Sequence, residues 1–214
     1  MKKIIILIAL AFISSYALTL EDVKKGLSLN QINQDSLEYR LKVTVTAPMI
    51  GSQSTDYHYV AKGKSKIYFE MRSSLVNQRM ILSGEKMKTT DLVTMKENIS
   101  PYKGEIEKLT SSQNVTNPFN NGTWKTPERV EGSIYRIEGD SSTVYYDASK
   151  KRMKKMEEKI NESSSLVTFE YDDATNQINR VFVSLMIGSQ EIKVDMMFSV
   201  FRSSKNFPDR YFNF

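Results

Sequence analysis

The clearest signal in the chain is a two-residue alternation. Over residues 37–47, Leu37, Tyr39, Leu41, Val43, Val45 and Ala47 are apolar, and Glu38, Arg40, Lys42, Thr44 and Thr46 between them are polar. Successive side chains of a strand point to opposite faces, so this stretch predicts a strand with one buried and one wet face, closed by Pro48 and Gly51. The pattern returns at Tyr57 and Tyr59, at Ile67, Phe69 and Met71, and at Met80 and Leu82. It returns again at Val167, Phe169 and Tyr171, at Val181, Val183, Leu185 and Ile187, and at Ile192, Val194, Met196, Phe198 and Val200. Turn-forming runs punctuate it, among them Lys62-Gly63-Lys64, Ser83-Gly84-Glu85, Asp172-Asp173 and Gly188-Ser189. About eleven strands follow, joined mostly as hairpins.

A different period opens the region after residue 17. Thr19 and Asp22 have the spacing of a capping box, and Leu20, Val23 and Leu27 follow at helical intervals, which predicts a short amphipathic helix. Gly26 is a poor helix former and marks the place where that helix should end or bend. Residues 151–160 (KRMKKMEEKI) have near-helical spacing of Met153, Met156 and Ile160, yet stand between two strands of a meander, and are read as a highly charged strand. Residues 110–133, rich in Asn, Ser, Thr, Gly and Pro, read as a long connection that holds Trp124. No Gly/Pro-rich linker interrupts the core pattern, so residues 18–214 are expected to form a single domain. Its class is α+β, mostly β: a large antiparallel sheet, curled or closed to hide its edges, with more apolar face than one or two short helices can cover.

Residues 1–17 follow other rules. Lys2 and Lys3 precede ten unbroken apolar residues at positions 4–13, and Ser15 and Ala17 are small residues flanking Tyr16. This is the layout of a secretory signal peptide of bacterial type, too short in its apolar run for a membrane anchor. The alternative is an uncleaved N-terminal anchor helix. The chain has no Cys, which excludes disulfides, thiolate chemistry and lipid attachment through an N-terminal Cys. A soluble, non-anchored protein of the periplasm is expected. Removing the two leader lysines lowers the net charge from +5 to +3, too weak and too dispersed an excess to argue for nucleic acid. The Asn-x-Ser/Thr triplets at Asn98, Asn114, Asn121 and Asn161 are chance products of an Asn/Ser/Thr-rich chain.

Catalytic signals are sparse. The one histidine, His58, is out of phase with Tyr57 and Tyr59 and should face solvent, without the partners a triad or metal site would need. No nucleophile elbow, dinucleotide fingerprint or phosphate loop occurs. Asp140 and Asp172-Asp173 sit in turns, where Asp caps its own backbone. An enzyme is not expected, nor a cofactor or a metal. The makeup of the apolar face stands out instead: ten of the eleven methionines lie beyond the leader, most of them in or beside predicted strands, next to many Tyr and Phe. Methionine adapts to apolar partners of variable shape.

Several segments resemble the LolA/LolB-like family of periplasmic lipoprotein carriers. The leader, the short helix and the strand at 37–47 are similar to the family's opening. Ile67-Tyr68-Phe69-Glu70-Met71 resembles its strand after the first turn, and Met80-Ile81-Leu82-Ser83-Gly84-Glu85-Lys86-Met87 resembles its next hairpin. The end, Phe207-Pro208-Asp209-Arg210-Tyr211-Phe212-Asn213-Phe214, is similar to the family's closing motif. The resemblance implies an unclosed antiparallel barrel with short lid helices over an apolar cavity for acyl chains of lipoproteins or lipids, with inner- and outer-membrane proteins as partners. Where the family has an Arg-Pro pair at the first turn this chain has Lys62-Gly63, and its inward aromatic is here Met87, so lid closure by Arg does not carry over. On this reading Leu41, Val43, Phe69, Met80, Leu82, Phe169, Val183, Met196 and Phe198 line the cavity as a set. Val23 and Leu27 belong to the lid, and the protein is a monomer. The alternative is a non-enzymatic interaction or sensor module of the envelope, with the same fold and the cavity packed shut.

Overall fold

A computed structural model of the chain describes residues 18–29, 36–106, 118–120, 122–204 and 207–214. The leader, 1–17, lies outside the described residues. Helix α1 spans Leu20–Leu29. The strands are β1 (Ser36–Ala47), β2 (Gly51–Lys62), β3 (Lys66–Ser73), β4 (Asn77–Ser83), β5 (Lys86–Asp91), β6 (Glu97–Pro101), β7 (Glu128–Glu131), β8 (Ile134–Glu138), β9 (Ser142–Asp147), β10 (Arg152–Ile160), β11 (Ser163–Tyr171), β12 (Ile178–Ile187) and β13 (Gln190–Ser203).

All thirteen form one antiparallel sheet in the order β6-β5-β4-β3-β2-β1-β13-β12-β11-β10-β9-β8-β7. Each neighbour pair is a sequential hairpin except the central one, where β1 meets β13 with Leu37 opposite Ser203 and Val45 opposite Val194. The sheet is thus two meanders joined at a seam, and it does not close, because β6 and β7 end as free edges. Both edges are short, and they carry Pro101 on one side and Glu128, Arg129 and Glu131 on the other, features that discourage further strand pairing. The expected mostly-β, large unclosed antiparallel sheet is therefore present, with thirteen strands rather than about eleven. The extra strands include β7, which lies inside the stretch expected to be a long connection. That stretch also holds a 3-10 turn at Pro118–Asn120 and a bridge between Trp124 and Gly139.

The helix begins as its sequence requires. The Asp22 amide donates to Thr19 Oγ1 at 3.1 Å, and the Thr19 amide and hydroxyl donate to Asp22 Oδ2 at 3.1 and 2.6 Å. It does not end at Gly26. A Cβ at that position would lie 2.4 Å from the Tyr146 hydroxyl, so glycine here lets the helix backbone lie against β9, and the helix continues to Leu29.

Two layers cover the sheet. On the inner face, Val23 of α1 is fully buried among Ile137, Val144, Tyr146, Met153, Phe169 and Val181. On the outer face, Phe207 and Phe212 close over Val60 beside Tyr68 and Tyr211. Asp209 fixes this tail by accepting from Lys62 Nζ at 3.0 Å and Lys66 Nζ at 3.3 Å.

Candidate functional site

The register sorts the inner face into rungs. One runs Leu41–Phe198, the next Val43–Met196–Val181–Phe169, and the next Val45–Val194–Val183–Val167–Met156 across β1, β13, β12, β11 and β10. Partners directly opposite in an antiparallel pair share a face, so each rung is a row of neighbouring side chains. Burial falls along them. Leu41, Val181 and Phe169 are 3%, 1% and 2% exposed, whereas Val45, Val194, Val183, Val167 and Met156 are all half-buried. Five aliphatic side chains on five adjacent strands thus form a strip about 19 Å long, at the usual strand spacing, that α1 and its neighbours cover only in part.

The other arm is packed. Ala61, Ile67, Phe69, Met80, Leu82 and Met87 form one cluster with Ile106, which follows β6 and folds back over it. Aromatic rings stand where the arms meet: Tyr39 stacks on Tyr59 with centroids 5.0 Å apart, and Phe198 meets Tyr39 edge-on at 6.4 Å. Burial pushes the Tyr39 phenol well above its ordinary range.

All nine residues expected to line a cavity point to the inner face. The structure divides them: Leu41, Phe69, Met80, Leu82 and Phe169 are buried in the packed clusters, and Val43, Val183, Met196 and Phe198 are half-buried beside the strip. Of the two lid residues, Val23 is fully buried and Leu27 is half-buried against the same cluster. The rung partners Val45, Val194, Val167 and Met156 belong to the strip as well, and the alternation of their strands contained that information.

The outer face holds the polar chemistry. Glu38 was expected on a wet face, yet it is 2% exposed, and His58, expected in solvent, is partly covered. His58 Nε2 bonds Glu38 Oε1 at 3.0 Å, and Arg202 Nε donates to Glu38 Oε2 at 2.8 Å. Tyr68 and Tyr211 pack edge-on against the imidazole at 5.2 and 5.7 Å. Beside them Glu70 accepts from the Tyr68 hydroxyl at 2.6 Å, Arg72 Nε at 2.7 Å and Arg79 Nε at 2.9 Å. Burial holds the imidazole below its ordinary value. Burial would raise the Glu38 carboxyl, but the hydrogen bonds from Arg202 and His58 outweigh it and hold the group below its usual range. Alternation alone placed both residues on the outer face correctly. It could not show that a tail from the end of the chain returns to cover them.

An open hollow of about 600 Å3 adjoins this cluster between Arg40, Lys42, Asp56, His58, Glu70 and Arg72, and another of about 720 Å3 lies by Gly84, Lys86, Ile99 and Tyr102. Neither extends along the inner strip. Among the described residues no group of three or more His, Asp or Glu could hold a metal ion, and no helix is long and apolar enough to cross a membrane.

This fold occurs in known structures. A LolA superfamily protein from Nitrosomonas europaea superposes with a TM-score of 0.53 over 92% of this chain and 98% of that chain, at 14% identity. A protein from Vibrio parahaemolyticus, named as an outer membrane lipoprotein-sorting protein domain, gives 0.51 at 9% identity, covering 91% of this chain and 96% of that chain. A DUF1329 family protein from Desulfovibrio piger gives 0.50 at 9% identity over 90% of this chain and 96% of that one. No protein-family model and no curated protein sequence matches the chain. The chain therefore shares the LolA-type fold with these proteins, at identities that speak for architecture alone.

Proposed function

We propose that this protein is a non-enzymatic carrier of the periplasm, exported with residues 1–17 removed, that binds acyl chains of lipids or lipoproteins on its inner face and moves them toward the outer membrane. The observation that carries the reading is the half-buried strip Val45–Val194–Val183–Val167–Met156, which is apolar throughout, about 19 Å long and only partly covered by α1 and its neighbours. An acyl chain laid across those rungs gains about 0.8 kcal/mol for each methylene removed from water. Val43, Met196 and Phe198 flank it, and Met196 supplies an adaptable wall. The buried members of the set, Leu41, Phe69, Met80, Leu82 and Phe169, then serve as the packed floor that holds the strip in shape. Helix α1, anchored by Val23 and edged by Leu27, is the lid, and the carrier works as a monomer that exchanges cargo with membrane partner proteins. The like-folded proteins from Nitrosomonas and Vibrio, one named for lipoprotein sorting, support this reading.

Organic extraction of the protein purified from a bacterial periplasm, followed by mass spectrometry, tests it. Stoichiometric lipid or acylated protein is the expected result. An empty protein that also takes up no fluorescent fatty-acyl probe would overturn it. A second reading, an interaction module of the envelope with its inner face packed shut, is favoured by the closed β2–β5 arm, where Ile106 leaves Phe69 and Leu82 each 1% exposed. It requires that the probe fail to bind while a protein partner is captured.

A further inference from the structure

The two ends of the sheet differ in kind. Because every strand is antiparallel to its neighbour, the β1–β2, β3–β4, β5–β6, β8–β9, β10–β11 and β12–β13 turns lie at one end, and the β2–β3, β4–β5, β7–β8, β9–β10 and β11–β12 turns at the other. The first set carries Met49 (87% exposed), Ile50 (62%), Leu75 (88%), Val76 (40%), Val93 (73%), Met95 (65%) and Ile187 (50%). The second set reads Lys62-Gly63-Lys64-Ser65-Lys66, Ser83-Gly84-Glu85-Lys86, Glu131-Gly132-Ser133, Ser149-Lys150-Lys151 and Asp172-Asp173, and among the described residues Val130, beside the β7–β8 turn, is its one exposed large hydrophobic. In the sheet order the four apolar turns are consecutive, running from the β6 edge across the seam to β12, and the polar turns Asn161-Glu162 and Gly139-Asp140-Ser141 complete that end beyond them.

We propose that this apolar row of hairpin tips is a docking surface for a lipid bilayer, which the tips enter to the depth of their aliphatic side chains. Three observations select a bilayer over a protein. First, the tips carry little charge to desolvate: residues 44–55, 73–78, 92–95 and 187–190 contain no Asp, Glu, Lys or Arg, and Lys96, whose long stem can hold its ammonium in water, is the one charged residue in these four turns. Three carboxylates at the rims of these turns are already engaged. Asp91 accepts from the Val93 and Thr94 amides of its own turn at 2.9 and 2.7 Å, Glu97 pairs with Lys88 at 3.3 Å, and Glu191 with Lys193 at 3.1 Å. Second, the tips contain none of the Trp, Tyr and Arg anchors on which protein interfaces concentrate their binding energy. Third, neighbouring tips are about 10 Å apart, two strand spacings, with polar turn residues between them, so they form separate prongs rather than the continuous patch a stable dimer needs. A fluid apolar layer accepts separate prongs; a rigid surface does not. The inner strip, which crosses the strands, lies toward this end, since Val45 and Val183 precede Met49 and Ile187 by only four residues. Docking nonetheless stands independently of whether an acyl chain occupies the strip.

Flotation of the full chain with phosphatidylcholine vesicles tests the proposal. The wild type is expected to float, with little change when salt is raised, because no charge drives the contact. The variant Ile50→Ser/Leu75→Ser/Val93→Ser is expected to lose partitioning by about tenfold or more. A variant at the opposite end, Lys64→Ser, should float like the wild type, and circular dichroism with thermal melting checks that these exposed turn substitutions leave the fold intact. A wild type that stays with the aqueous fraction overturns docking, as does a triple variant that floats equally well. Sedimentation showing a wild-type dimer that the triple variant dissociates, with flotation unchanged, overturns it in favour of a second copy of the chain. Uptake of the fatty-acyl probe, measured without vesicles, reports on the strip alone, so failure of one reading does not pass for failure of the other.

Discussion

The two arms are built from the same hairpins and the same alternation, yet only one of them is finished. On the β2–β5 arm Ala61, Ile67, Phe69, Met80, Leu82 and Met87 are each no more than 7% exposed, because the segment after β6 folds Ile106 back over them. On the β11–β13 arm α1 joins the cluster that buries Val181 and Phe169, and Val183, Val194 and Val167 beside it stay half-buried. The difference therefore lies in the covering segments, and the strands themselves are alike. One sheet can hold a rigid, stabilising half and an adaptable half, with Tyr39, Tyr59 and Phe198 as the partition between them.

Substitution of matched phenylalanines is the strongest way to break this contrast. Phe69→Ala, in the packed arm, should cost about 3–5 kcal/mol in urea unfolding. Phe198→Ala, half-exposed, should cost clearly less and weaken the fatty-acyl probe more. Equal losses in both measurements would mean that the arms do not differ. Next in size, Gly26→Ala should destabilise by about 1–3 kcal/mol, because its Cβ would stand 2.4 Å from the Tyr146 hydroxyl. Tyr146→Phe should restore most of that loss by removing the oxygen, and a double variant no better than Gly26→Ala would refute this account of the glycine. Thr19→Ala removes the hydroxyl that caps α1 and should cost about 1 kcal/mol, read as faster amide exchange confined to residues 20–27.

The smallest effect is set by pH and belongs to the outer face of the packed arm. His58 is held below its ordinary 6.5 and Glu38 below its ordinary 4.5, so for both groups the unfolded chain binds more protons than the folded one. Stability is therefore full above pH 6.5 and declines as pH falls, first through the imidazole range and then through that of the carboxylate. His58→Gln should abolish the first step of that decline in urea midpoints while keeping the second. Unchanged pH dependence in the variant would show that His58 carries none of it.

Much of this was legible in the sequence. The strand read at residues 37–47 is β1 (Ser36–Ala47), the charged stretch 151–160 is β10 (Arg152–Ile160), and the Thr19–Asp22 box caps α1. Alternation also assigned Glu38 and His58 to the correct face. What escaped was long-range or featureless. The first third of β2, Gly51-Ser52-Gln53-Ser54, is exposed and has no apolar phase to read, and β7 is an exposed edge with Val130 as its one apolar residue. The burial of Glu38 depends on Arg202 and on Tyr211 near the end of the chain. The role of Gly26 depends on a tyrosine 120 residues downstream, so composition could suggest only a helix end. For the site, the pattern identified the inner face but not which of its residues would remain uncovered, because the covering segments obey no period.

The seam carries a consequence for assembly. Each arm is a run of nearest-neighbour hairpins, which close quickly because their partners are close in sequence. The pairing of Leu37 with Ser203 instead joins residues from opposite ends of the chain, and it is the one strand contact between the two arms, so that it must wait for β13. A chain threaded across a membrane from its N-terminus would emerge with β1 unpaired on one side while twelve strands follow. Until β13 arrives, β1 is an exposed edge with an aliphatic face, open to pairing with another chain. Such a protein has its period of greatest vulnerability at the very end of its delivery, and that interval is when a holding chaperone would do most for it.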